Sequence, residues 1–295
     1  MSSILEERDT MATVRIITDV TANLSPECVT EHNITVLPVK VSFDNREFLI
    51  GPDDSPVQLF RQMMDAPAQS AEATIPTSAL QEAYDTLSRE TNEMLVIVGS
   101  SKLSKGFANA RTTARPYLGR CRIAIMDSLT ASWGLGLMVK TAAKAAKEGQ
   151  PLDEIVRLVR GVAPHIYLVF FVERLDYLER GGRIGQAQAL LGTMLRIKPL
   201  LLVEDGDIIP LEKVRTRRMA IGKLADFVAE FASIQQVVIL SSPLNGNANE
   251  MIDELKEQLS MALPDRDFSV VEYDPVLACH LGPEALGVIV YEGLL

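Results

Sequence analysis

Cysteine is scarce: Cys28, Cys121 and Cys279 are all that 295 residues contain. Odd in number and scattered, they exclude a disulfide framework and favour a reducing cytoplasm. Histidine is as rare, and His32, His165 and His280 lie far apart with no Cys/His spacing of a metal site, so no metal is expected. Aromatic residues make up 5% of the chain, and none interleaves with the one basic cluster, Lys213, Arg215, Arg217 and Arg218. With a net charge of −10, that short cluster argues against nucleic acid as a partner, because an acidic surface repels phosphates. No apolar run reaches the roughly 18 residues of a membrane span. Residues 1–12 lack the regions of a secretory signal and read as a flexible tail. There is no GxGxxG after the first strand and no GxxxxGK[ST] loop, so the usual dinucleotide and nucleoside triphosphate cradles are missing. No serine sits in a GxSxG elbow.

What is there is an ordinary globular composition, 47% hydrophobic and 23% charged, long enough for one large domain or two smaller ones. Strands are expected at Val14 to Thr18, Thr35 to Phe43, Glu93 to Val98, Arg122 to Met126 and Ile166 to Val172. Pro38 should break the second or hold it at an edge. Helices alternate with them. Ser25-Pro26-Glu27 and Ser55-Pro56 are helix starts, the latter opening Val57 to Met64. Ser78 and Gln81 fit a capping box, and Gly149 should close a helix that begins near Thr130. Residues 66–76 read as a loop. The alternation through residue 165 argues for a parallel α/β sheet.

The later part reads differently. Leu175 and Leu178 precede the double glycine Gly181-Gly182, where a helix should end in a sharp corner, with Arg180 and Arg183 pointing outward. A second helix is expected over Gln186 to Arg196. Asp205-Gly206 between Ile197 to Val203 and Ile208 to Val214 is a hairpin signal. Further helices, Met219 to Ala232 and Asn247 to Leu263, separate the last strands, and His280 falls in what reads as a tight loop. The fold class is thus α/β: a Rossmann-like parallel-sheet domain over 13–165, then an α+β domain over 166–295 with a mostly antiparallel sheet.

Three strands end in small polar clusters: Asp19 with Thr21, Ser100 with Ser101, and Asp127 with Ser128. Thr77-Ser78 adds a fourth at a helix start. Each alone is ordinarily an N-cap. Together, at the carboxyl ends of parallel strands, they suit a crevice for a small anion. A hydrolase built from Ser101, His280 and Asp127 is the alternative, although their spacing matches no template. A sugar-phosphate or nucleotide binder is disfavoured by the missing loops.

The run LDYLERGGRIG from Leu175, then LLGTMLRIKPLL, an acidic-glycine turn and KVRT resembles the signature region of the DegV family. These are bacterial fatty-acid-binding proteins, several being the acyl-carrying subunit of a fatty acid kinase, and the likeness extends from about Thr13 onward. The family's TDST motif is met by Thr18-Asp19-Val20-Thr21, its SSxLSGT by Ser100 to Gly106, and its HTGPG by His280 to Glu284. Val20, Lys105, Gly106, Leu281 and Glu284 depart from those patterns and leave fewer hydroxyls. The resemblance implies a long-chain fatty acid between the two domains, its tail in an apolar tunnel. Thr77, Ser78, Ser101 and His280 would hold the carboxylate, with Asp19, Thr21, Ser100, Ser104, Asp127 and Ser128 as a secondary polar network. Arg180 and Arg183 would face a separate ATP-dependent kinase that makes acyl phosphate for phospholipid synthesis. The chain itself would be a cytoplasmic carrier rather than an enzyme, without cofactor, metal or stable membrane insertion, transient membrane contact remaining open.

Overall fold

The computed structural model describes residues 13–43, 46–54, 61, 71–187, 197–242, 248–264, 266–282 and 284–293. The expected tail lies outside them, as do the helix over 57–64 save Arg61 and the helix over 186–196 save its first two residues. Four strands form a parallel sheet: Arg15–Asp19 (β1), Thr35–Leu37 (β2), Glu93–Val98 (β6) and Arg122–Asp127 (β7), in the order β2-β1-β6-β7. Pro38 cuts the expected second strand in two, because a residue without an N–H cannot carry the ladder on. Its later half, Val39–Phe43 (β3), leaves for a separate antiparallel sheet between Arg46–Ile50 (β4) and Ala71–Thr74 (β5). That third sheet corrects the reading of 66–76 as all loop. β5 is held by backbone pairing to β3, which its small and polar side chains do not announce.

From residue 166 the chain builds a six-stranded sheet from Ile166–Phe171 (β8), Lys198–Glu204 (β9), Asp207–Val214 (β10), Ile234–Ser241 (β11), Ser269–Glu272 (β12) and Leu286–Glu292 (β13). Its order is β10-β9-β8-β13-β11-β12, antiparallel except for β11 against β12. The hairpin at Asp205-Gly206 forms as expected, with φ of 49° and 80°, the positive values a tight turn requires. Mixed α/β architecture with one parallel and one mostly antiparallel sheet is therefore what the strand pattern indicated. Among the described residues no helix is long and apolar enough to cross a membrane.

Trp133–Lys147, three residues shorter at its start than expected, lies between the two large sheets. Leu135, Met138, Val139 and Ala142 share one core with Ile16, Leu95 and Ile97 of the parallel sheet and with Leu168, Phe170 and Ile289 of the other. The helix also lies hard against the 3-10 turn Val20–Ala22 that follows β1. A Cβ on Gly136 would come within 2.3 Å of the Ala22 carbonyl oxygen, and backbone on both sides leaves little room to yield. Gly136→Ala should therefore cost about 1–3 kcal/mol in urea unfolding. A free helix position would instead gain about 1 kcal/mol from alanine, so a stabilised variant would refute the close packing.

Candidate functional site

The carboxyl ends of β1 and β6 meet a short helix, Pro275–Leu281 (hereafter the cleft helix), across a narrow cleft of about 40 Å³. The sequence builds this helix through Asp274, whose Oδ1 accepts from the N–H groups of Val276 (2.7 Å) and Leu277 (3.1 Å), and through Pro275 at the first helical position. The helix corrects the reading of His280 as part of a tight loop. His280 lies in the last helical turn, is 3% exposed, and is buried against the fold rather than displayed. Beyond it, Tyr273 Oη donates to the Gly282 carbonyl at 2.8 Å, which ties the helix end back to the strand before it.

On the sheet side, Asp19 Oδ1 accepts from the Thr21 N–H at 2.9 Å and from its hydroxyl, capping the turn after β1. Ser132, just ahead of the central helix, has φ +55° and accepts from Asn23 Nδ2 at 3.0 Å. Between these polar groups the lining is apolar: Val39, Ile75, Leu103, Ala131, Val276 and Leu277.

Burial dominates the electrostatics. It pushes the Asp19 carboxyl up, although hydrogen bonds from Thr21 and the Gly99 backbone oppose it. It raises Asp274 to about 6, the cap hydrogen bonds opposing and Asp19 adding to the rise. Burial and the neighbouring Arg183 depress His280 to about 3, so its imidazole is neutral at pH 7. Neither His280 nitrogen nor Asp274 Oδ2 has a hydrogen-bond partner among the described residues, and all three atoms are sealed from solvent.

The glycine corner supports this arrangement in a way its sequence did not reveal. Gly182 carries the positive φ, +63°, whereas Gly181 has φ −72°. Gly181 is needed for space: a Cβ there would lie 2.7 Å from His280 Nδ1. Arg183 turns inward, correcting the outward orientation expected. Its Nε donates to the Leu103 carbonyl at 2.6 Å and its Nη1 to Gly181 O at 3.1 Å, and burial holds its pKa below the usual value. Arg180 stays partly exposed, paired with Asp176 at 3.0 Å and lying over the Tyr177 ring.

Of the residues expected from sequence, Asp19, Thr21, Ser100, Ser104 and His280 line the cleft. Thr77, Ser78 and Ser101 are exposed and do not line it. Pro76, not Ser78, occupies the cap of the helix Thr77–Leu87, so the expected capping box is not made. Ser100 Oγ donates to Gly206 O at 2.7 Å, which fastens the hairpin turn to the end of β6. Asp127 and Ser128 serve their own loop: Asp127 Oδ1 accepts from the Ser101 and Leu129 N–H groups, and Ser128 Oγ donates to Thr130 O. A Ser101–His280–Asp127 relay is not assembled, because Asp127 meets only backbone there and the imidazole has no partner among the described residues. Ser132 and Asp274 escaped the sequence reading. Asp274-Pro275 carries the same cap signal as Ser25-Pro26 and could have been found; nothing in the sequence marks Ser132.

Residues 13–293 match the model of the DegV family, described as an uncharacterised protein family. A DegV domain-containing protein of Deinococcus radiodurans is 32% identical over 275 residues, which cover 93% of this chain and 97% of that relative. The structure of a DegV family protein from Thermus thermophilus, described by its fatty acid binding, aligns with a TM-score of 0.82 at 26% identity, covering 95% of this chain and all of that one. A fatty acid binding DegV family protein of Streptococcus agalactiae shares the fold with a TM-score of 0.85 at 24% identity, covering 95% of this chain and 99% of that one.

Proposed function

Because the chain belongs to the DegV family, we propose that it binds a long-chain fatty acid in the cleft between its 13–165 and 166–295 portions. The observation that carries this reading is the neutral, buried His280 with both ring nitrogens unpartnered among the described residues, on the lining of a cleft with apolar walls. Burying a carboxylate costs several kcal/mol unless donors meet it, and an imidazole N–H donates such a bond. Burying an alkyl chain contributes about 0.8 kcal/mol per methylene. Thr77, Ser78 and Ser101 stand outside the cleft, so His280 carries the carboxylate contact among the four residues expected, and Ser104 also belongs to the lining. The likeness to the Thermus thermophilus fatty acid binder supports the same ligand class.

The chain presents this acid to a separate ATP-dependent kinase in the cytoplasm, and the acyl phosphate it receives back serves phospholipid synthesis. Arg180, partly exposed, faces that partner, while Arg183 supports the His280 side of the cleft. Catalysis belongs to the partner. The test is mass spectrometry of an organic extract beside native mass spectrometry of the intact protein. One fatty acid per chain is expected, with acyl phosphate formed only when the kinase subunit and ATP are added. A purified chain that carries no fatty acid and refuses added stearate and oleate would sink the reading.

A further inference from the structure

Ser104 and His280 line the cleft, and so do Asp274, Asp19, Thr21 and Ser132; two of these, Asp274 and His280, stand at opposite ends of the cleft helix. Asp274 caps the cleft helix at its start and His280 lies in its final turn. Six residues at 1.5 Å each set the backbones of the two residues about 9 Å apart along the helix axis. Val276, Leu277, Ile75 and Val39 add apolar wall to the same cleft. A plain hydrocarbon tail running from His280 towards the helix start meets a carboxylate there.

The helix start is built to accept. Asp274 Oδ1 is used by the Val276 and Leu277 amides, while Oδ2 is sealed from solvent and has no partner among the described residues. Nearby hydrogen bonds are already committed: Asp19 Oδ1 to Thr21, and Asn23 Nδ2 to Ser132 Oγ and to the Glu272 carbonyl. An unpaired buried acceptor is unfavourable, more so when charged. An occupant of the cleft that brings a donor to Oδ2 relieves this, and one that brings only methylenes does not. A site with a buried polar group also discriminates strongly against the analogue that leaves the group unmet.

We propose that Asp274 makes this cleft selective for fatty acids carrying a hydrogen-bond donor along the chain, a mid-chain hydroxyl placed to reach Asp274 when the carboxylate is bound at His280. This rests on the fatty-acid reading and names the substrate subclass within it.

The experiment measures binding of stearic acid, a positional series of hydroxystearic acids and the matching oxostearic acids to delipidated protein at mildly alkaline pH, where Asp274 is an ionised acceptor. One hydroxy isomer should bind about tenfold more tightly than stearate and than the oxo acid of the same position. Asp274→Asn keeps a good helix cap through Oδ1 and replaces the Oδ2 acceptor by an amide nitrogen that donates. In that variant, checked for its fold by circular dichroism, the oxo acid should rise to equal or exceed the hydroxy acid. A wild-type protein that ranks stearate and every hydroxystearate alike overturns the proposal. So does an Asp274→Asn variant whose hydroxy-over-oxo ranking is unchanged. If stearate and the whole series fail to bind, the fatty-acid reading falls and this inference with it.

Discussion

Replacing His280 by leucine should weaken stearate binding about ten- to a hundredfold while making the empty protein more stable. The two signs follow from one feature. A hydrogen bond to a charged group contributes about 1.5–3 kcal/mol, and His280 is the cleft residue best suited to give one to a carboxylate. In the empty protein its two nitrogens are sealed and unpartnered among the described residues, and a buried polar group left unmet costs about 1–3 kcal/mol. Leucine fills similar space without that penalty, so urea unfolding of delipidated protein should gain about 1–3 kcal/mol. Calorimetric titration with stearate supplies the other half. Affinity unchanged from wild type would remove His280 from the carboxylate contact, and a destabilised variant would make the imidazole structural. A residue kept at the expense of stability is the mark of a functional position.

That tension also explains what could be read from the chain. Both large sheets were legible because their strands are apolar runs bounded by caps and turns, and Asp205-Gly206 declares its turn by chemistry alone. Three polar clusters were legible at the carboxyl ends of parallel strands. Which of them faces the cleft was not, because Ser100 and Ser101 are adjacent in sequence but one is buried against Gly206 and the other exposed. Gly181-Gly182 was visible as a corner, yet the space Gly181 clears for His280 depends on a helix a hundred residues further on. The orientation of Arg183 follows from the Leu103 carbonyl eighty residues earlier. Long-range contacts of this kind leave no local period.

Two buried groups in the cleft should make stability respond to acid in opposite ways. The imidazole of His280, held at about 3 against an ordinary 6.5 by burial and by Arg183, stays neutral in the fold while the unfolded chain takes a proton. Its contribution is present above pH 6.5 and is lost as pH falls towards 3, amounting to roughly 4–5 kcal/mol at 1.36 kcal/mol per unit. Asp274 is raised from 3.8 to about 6 by burial, with Asp19 adding to the rise. Its contribution runs the other way, fully present below 3.8 and lost as pH rises through 6, about 3 kcal/mol in all. Asp19, also raised by burial, acts in the same direction as Asp274. Cys279, whose thiol is pushed up by burial and by Asp274, stays neutral throughout this range. From about pH 6 to about pH 4 the two principal terms nearly cancel, and the delipidated wild type should show little net slope from the cleft. Asp274→Asn removes the compensation, so its stability should fall by about 3 kcal/mol relative to wild type across that window. His280→Leu removes the opposing term, and its stability relative to wild type should climb as pH drops. Urea unfolding of the three proteins at several pH values compares them with all other groups held in common. Parallel profiles would mean that neither group titrates as its burial dictates. Divergent ones would show a cleft whose two buried groups, one neutral base and one reluctant acid, are each held in the fold in the protonation state that burial favours.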